Sequence, residues 1–164
     1  AVLGLKFGGR RRIAAALAVP MAAALADSPA DAVTWVPLGP ARRRARGYDQ
    51  AQLLARAVAR LVGARATPLL VRRVETPPQA HRDADARRSA LAGAFAARGR
   101  VPGRVVLVDD VITTGATAVA CARTLRAAGA RDVTVLAACR ALPDAYTRVG
   151  SASGSVVARG VAPR

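Results

Sequence analysis

Lysine is nearly absent from this 164-residue chain: Lys6 stands alone, and almost all of the 26 basic residues are arginine. No Gly-Lys-Ser or Gly-Lys-Thr occurs anywhere, which excludes a P-loop. Histidine appears once, as His81, and a lone histidine in a polar loop reads as a surface residue rather than a catalytic base. The two cysteines, Cys121 and Cys139, have no Cys-x-x-C spacing and no histidines around them. A metal centre built on them is excluded, and both read as buried free thiols, consistent with a cytoplasmic compartment. Aromatics make up 3% of the chain, fewer than base-stacking platforms for single strands usually need. The longest apolar run, Ile13 to Ala26, is too short to span a bilayer as a helix.

What is abundant is positive charge, a formal +16 from 26 Lys+Arg against 10 Asp+Glu. A field of that sign attracts nucleic acid or polyphosphate. The excess is arginine in a chain also very rich in alanine, so a GC-rich coding bias explains it equally well. The length fits one domain, large enough to bury roughly two thirds of its unfolded surface without disulfides.

The chemistry concentrates in Val105 to Thr117, VVLVDDVITTGAT. Val105 to Val108 have the composition of a strand buried on both faces, and Asp109 and Asp110 stand where that strand is expected to end. Thr113, Thr114, Gly115, Ala116 and Thr117 then lead into a helical pattern from Ala116 to Ala128. Unpaired N–H groups at a helix N-terminus, with threonine hydroxyls beside them, suit a phosphate monoester. The carboxylates before them repel phosphate but accept hydrogen bonds from sugar hydroxyls. A ligand with a phosphate at one end and a ribose diol beside it satisfies both halves. A response-regulator receiver also begins with a strand ending in paired acids, but it needs a phosphoacceptor Asp on a later strand and a later Lys. Only Asp132 and Asp144 follow here, and Lys6 lies far upstream.

Taken in order, Arg10 to Arg12 followed by Ile13 to Ala26 reads as an amphipathic or buried first helix, with a secretory signal as the alternative. Ala32 to Leu38 predicts a buried strand ended by Pro37, Gly39 and Pro40. Arg42, Arg43, Arg44 and Arg46 crowd the next loop, and Leu53, Leu54, Ala57, Val58 and Leu61 predict a helix from Tyr48 or Asp49 to Gly63. Those arginines form either a clamp for a polyphosphate or a solvated basic loop. Thr67 to Val74 predicts a second strand. The turn-rich segment Glu75 to Ala94 has the length of an active-site lid. Gly93 to Ala97 and Val133 to Cys139 predict further strands, Cys121, Thr124, Leu125 and Ala128 mark the inner face of the helix between, and Gly129 is its C-terminal stop. Strands alternating with helices imply an α/β fold with a largely parallel central sheet, its ligand beyond the carboxyl ends of the strands. Residues 1–142 form the expected domain, and 143–164 read as a loosely ordered tail.

Val105 to Thr117 resembles the PRPP-binding motif of type I phosphoribosyltransferases. Together with VPLGPARRRARGYDQAQLLA and TPPQAHRDADARRSALAGAF, it is similar to the competence-associated ComF family of phosphoribosyltransferase-like proteins over roughly residues 3–142. The resemblance implies a type I phosphoribosyltransferase fold with a hood or lid, and PRPP with Mg²⁺ as ligands. It places Asp109 and Asp110 in catalysis, Thr113 to Thr117 on the 5′-phosphate, Arg42 and Arg46 on pyrophosphate, and Gln79, Arg87 and Arg88 in the lid; no residue is assigned directly to metal. The expected activity is phosphoribosyl transfer to a nitrogenous base. The alternative is a non-catalytic PRPP- or nucleotide-binding protein, or an accessory to DNA uptake, with single-stranded DNA, competence proteins or further copies of the chain as partners. Three departures from the family stand out. The four-cysteine zinc ribbon that begins many members has no counterpart in these residues. Arg46-Gly47-Tyr48-Asp49-Gln50 replaces the usual Arg-Gly-Phe-Asn-Gln, and Ala90 stands where an Asn usually precedes Leu91.

Overall fold

The computed structural model describes residues 8–25, 29–41, 44, 47–73, 91, 93–140 and 158–160. In chain order the elements are α1 (Gly8–Ala23), β1 (Ala32–Trp35), α2 (Gln50–Leu61), β2 (Arg65–Ala66), β3 (Leu70–Arg72), β4 (Phe95–Ala97), β5 (Arg104–Ile112), α3 (Ala116–Ala127), β6 (Asp132–Arg140) and β7 (Ala158–Gly160). Five strands form one parallel sheet in the order β2-β1-β5-β6-β7. β3 and β4 pair antiparallel in a separate two-stranded sheet.

The central strand explains the layering. A strand sends successive side chains to opposite faces, and on β5 both sets are apolar. Val105 and Leu107 join Val133, Val135, Cys121, Leu125 and the β3–β4 sheet on one side. Val106 and Val108 join Val33, Trp35, Leu136, Val58 and the buried stripe of α1 on the other. The result is a parallel sheet covered on both faces, which is how an all-parallel sheet keeps its apolar residues from water. Ala14, Ala18, Met21 and Leu25 recur at three- and four-residue steps and bury one face of α1, in line with a buried first helix.

The helix ends follow local rules. Asp49 caps α2 by accepting from the Gln52 N–H at 3.1 Å. At the end of α3, Gly129 takes φ +110°, while its N–H reaches the Arg126 carbonyl and the Ala130 N–H reaches the Leu125 carbonyl, both at 3.0 Å. That left-handed stop needs glycine.

Five expectations are corrected. The central strand does not end at Val108: Asp109 pairs with Ala137, Val111 with Cys139 and Ile112 with Arg140, so Asp109 lies within the ladder and Asp110 within the same strand. Of the predicted strand Thr67 to Val74 only Leu70–Arg72 forms a strand, β3, while the main sheet ends just before it at β2; between them Thr67 turns its N–H to Val33 and the Leu69 N–H is taken by the Thr34 hydroxyl at 3.2 Å. The inner face of α3 is Ala118, Cys121, Ala122 and Leu125, with Thr124 and Ala128 outside it. Cys121 is buried as expected, but Cys139 is exposed, since it pairs with the exposed Val111 beyond the covered part of the sheet. Ala158–Gly160, within the segment read as a loose tail, forms edge strand β7 against Val135–Ala137. No helix among the described residues is long and apolar enough to cross a membrane.

Leu107 is fully buried at the centre of this sheet. Leu107→Ala is expected to destabilise the fold by about 3 kcal/mol through the lost apolar contacts and the cavity left behind. A lowered urea midpoint at unchanged slope is the readout.

Candidate functional site

In a parallel sheet flanked on both faces, a crevice opens where two neighbouring strands send their connections to opposite sides. β1 passes through α2 to β2 on one side, whereas β5 passes through α3 to β6 on the other. α2 belongs to one apolar layer and α3 to the opposite one. The crevice therefore lies between the carboxyl ends of β1 and β5, where the Val36 N–H donates to the Val108 carbonyl at 2.9 Å. Asp109 and Asp110 come immediately after that bond.

The two loops flanking the crevice are held differently. Asp49, buried at the start of α2, accepts from Gln52 N–H through Oδ1 and from Leu38 N–H through Oδ2 at 3.4 Å. One carboxylate thus ties Leu38, after β1, to the first turn of α2 across the segment that carries the arginine cluster. Sequence reasoning missed Asp49 as a positioning residue, although an Asp before a helical pattern is the usual cap signal. Arg42 and Arg46 themselves lie outside the described residues, as do His81, Ala90 and the lid residues Gln79, Arg87 and Arg88.

On the other loop, Gly115 takes φ +77° and starts α3 without a side-chain cap. Thr114 Oγ1 offers the Ala116 N–H only a long 3.4 Å contact. The first turn of the helix therefore keeps donors for an anion. Thr113 and Thr114 are exposed, and Gly115, Ala116 and Thr117 are half-buried around that end. The structure brings these five residues next to the acid pair on one continuous strand-to-helix turn.

The acids are not equivalent. Asp109 is 8% exposed, on the face of β5 that looks toward Cys121, and its Oδ1 accepts from the Asp110 N–H at 2.9 Å. Burial, then the neighbouring Asp110 carboxylate and more weakly Asp49, push its pKa up to about 7, against the pull of that backbone hydrogen bond. Asp110 is half-buried and accepts from the Val111 N–H at 3.0 Å through its own Oδ1. Beneath them the Cys121 thiol is pushed far up by burial and by the charge of Asp109, which makes it unreactive. Arg72, on β3, moderates that shift from the second sheet and lies 5.5 Å from the Phe95 ring centroid.

No family model matches the chain. It is 38% identical over 147 residues to DNA utilization protein YhgH of Salmonella typhi, covering 84% of this chain and 65% of that protein. It is 37% identical over 116 residues to Competence protein F of Haemophilus influenzae, covering 68% of this chain and 51% of the relative. The chain belongs to this competence-associated ComF family, with a type I phosphoribosyltransferase fold. It spans only 50–65% of the length of the curated relatives it matches. Among solved structures, glutamine PRPP amidotransferase from B. subtilis superposes with a TM-score of 0.52 at 29% identity, over 76% of this chain and 26% of the amidotransferase. The allosteric regulatory enzyme of purine biosynthesis gives the same TM-score at 28% identity, over 76% and 25% of the two chains.

Two outcomes follow from the site's electrostatics and backbone. Because the folded pKa of Asp109 lies above its unfolded value of 3.8, the folded state holds the extra proton, and stability falls as pH rises from about 4 to about 7. Asp109→Asn removes that penalty: thermal unfolding should show a gain on the order of 1–3 kcal/mol at pH 8 that disappears at pH 4. Gly115→Ala forces a side chain into left-handed backbone and should cost roughly 1–2 kcal/mol in the same assay.

Proposed function

We propose that this chain binds PRPP with Mg²⁺ and transfers the phosphoribosyl group to a nitrogen of a base, releasing pyrophosphate. The observation that carries the reading is the single turn that joins a buried and a half-buried acid to a glycine-started, uncapped helix end at the crevice between β1 and β5. The 5′-phosphate would sit on the N–H groups and hydroxyls of Thr113 to Thr117, where the helix end favours negative charge. Asp109 and Asp110 would accept hydrogen bonds from the ribose hydroxyls one turn earlier.

As the C1–O bond to pyrophosphate breaks, its electron pair leaves on oxygen and positive charge grows on the ribose carbon. The adjacent carboxylates stabilise that charge in a site partly shielded from water. A base nitrogen supplies the pair for the new C1–N bond and gives up its proton. Arg42 and Arg46, on the loop fastened by Asp49, would hold the leaving group in the bidentate manner suited to guanidinium. The segment carrying Gln79, Arg87 and Arg88 would exclude competing water.

No group of three or more His, Cys, Asp or Glu is placed to cage a metal among the described residues. Two neighbouring carboxylates fit a Mg²⁺ that draws its remaining ligands from water and substrate phosphate, so Asp109 and Asp110 would be its protein contacts. When bound, Mg²⁺ neutralises charge on the departing pyrophosphate.

A second reading is a protein that keeps this pocket to bind PRPP or a nucleotide without turnover, in support of DNA uptake. It is favoured by relatives named for competence and DNA utilization. The absence of a residue that identifies the acceptor also favours it, since Ala90 replaces a polar family residue.

Calorimetric titration of PRPP with Mg²⁺ separates these readings from a relic motif. Micromolar binding is expected in the wild type and should be lost in Asp109→Asn/Asp110→Asn. Absence of binding by folded wild type would refute both readings. With a competent base, Asp110→Asn should abolish turnover with the fold intact, and undiminished turnover would refute the mechanism.

A further inference from the structure

The opposite end of the sheet carries a positively charged cavity that phosphoribosyl chemistry does not use. The starts of β1, β2, β5 and β6 surround a hollow of about 540 Å³, within the size range of small-ligand sites. Its lining includes Arg65, Arg100 and Arg131, Thr67 and the glycines Gly103 and Gly129. From Gly103 to Asp109 the chain runs along β5, which separates this cavity from the candidate active site by roughly 20 Å.

The charge balance in the cavity is one-sided. Asp31 is the only acid in the lining, and it is already engaged: Arg104 donates to it from its backbone N–H at 2.9 Å, from Nε at 3.1 Å and from Nη2 at 2.6 Å. Those bonds, and more weakly the nearby charge of Arg131, hold the Asp31 carboxyl below its ordinary pKa, so its charge is present at neutral pH. Arg65, Arg100 and Arg131 have no ion-pair partner among the described residues. Three like charges around one hollow repel each other, and a bound anion relieves that repulsion.

Arg131 is also held in place. Its N–H and that of Asp132 both donate to the Gly103 carbonyl, at 2.8 and 2.9 Å. Its side chain lies so close over Gly103 that a Cβ there would sit 3.0 Å from Nε and 3.1 Å from Nη2. Glycine at 103 is thus what lets the guanidinium settle against the backbone at the cavity wall.

We propose that this cavity is a binding site for a small ligand carrying two or more linked phosphates, distinct from the site at the carboxyl ends of the strands. Arginine suits the ligand, since its planar fork pairs with phosphate oxygens. Three arginines around one hollow of molecular size fit a compact polyanion better than an extended strand, and no aromatic residue lines the cavity to stack a base. The proposal does not rest on the phosphoribosyl reading.

Inorganic tripolyphosphate is the probe, titrated calorimetrically into the whole chain at low salt, with thermal unfolding in parallel. Binding should raise the melting temperature, and Arg65→Ala, Arg100→Ala and Arg131→Ala should each weaken affinity about tenfold. Gly103→Ala keeps every charge but displaces the Arg131 guanidinium, and should weaken binding several-fold with the ligand-free melting temperature little changed. Circular dichroism verifies that each variant is folded. Unchanged affinity in the triple arginine variant would overturn the proposal, because tripolyphosphate would then be held elsewhere. So would no binding by the wild type, or capture of a single-stranded oligonucleotide that tripolyphosphate does not displace.

Discussion

Burial of β5 on both faces is the constraint on which the rest of the molecule depends. Val105 to Val108 are apolar without alternation, and the strand is stable only if β1 and β6 flank it and helices cover both sides. The same demand carries Asp109 into the ladder against Ala137, where little water reaches it. Its raised pKa is thus a consequence of the core, obtained by extending a buried strand two residues into polar sequence. Acidity at the site and stability of the fold are set by one element.

A second economy lies in how the crevice is made. Neighbouring strands β1 and β5 send the chain in opposite directions, and the gap between their ends needs no residue of its own. Asp49 then converts that gap into a framed site by holding Leu38 and Gln52 together, closing the ends of the arginine loop with one side chain. Thr34 performs a similar service below, tying Leu69 to the sheet before β3 departs for the second sheet. Short polar side chains at strand ends position both appendages of the core.

Part of the +16 charge gathers where the strands of the sheet begin. There Arg104 is committed to Asp31, and Arg65, Arg100 and Arg131 line a cavity. An arginine-rich composition from coding bias would scatter charge without pattern. Three arginines lining one hollow, with Gly103 making room for one of them, is a more specific arrangement.

Much of the candidate site was legible in linear sequence because its parts are consecutive: Asp109 through Thr117 form one strand-to-helix turn, and spacing alone places two acids before a helix N-terminus. The helix limits near Asp49 and Gly129 were legible for the same reason, since caps are local. What the sequence by itself determined is therefore the order of acids and helix start in that turn and the parallel α/β class. Only the tertiary structure decided that Asp109 lies inside the ladder, that Cys139 emerges beyond the covered sheet, that Asp49 fastens Leu38, and that Arg65, Arg100 and Arg131 share one cavity. Each of those depends on strand register or on residues far apart in the chain. Register is set by how the whole sheet buries its two faces, a condition no short window of sequence contains.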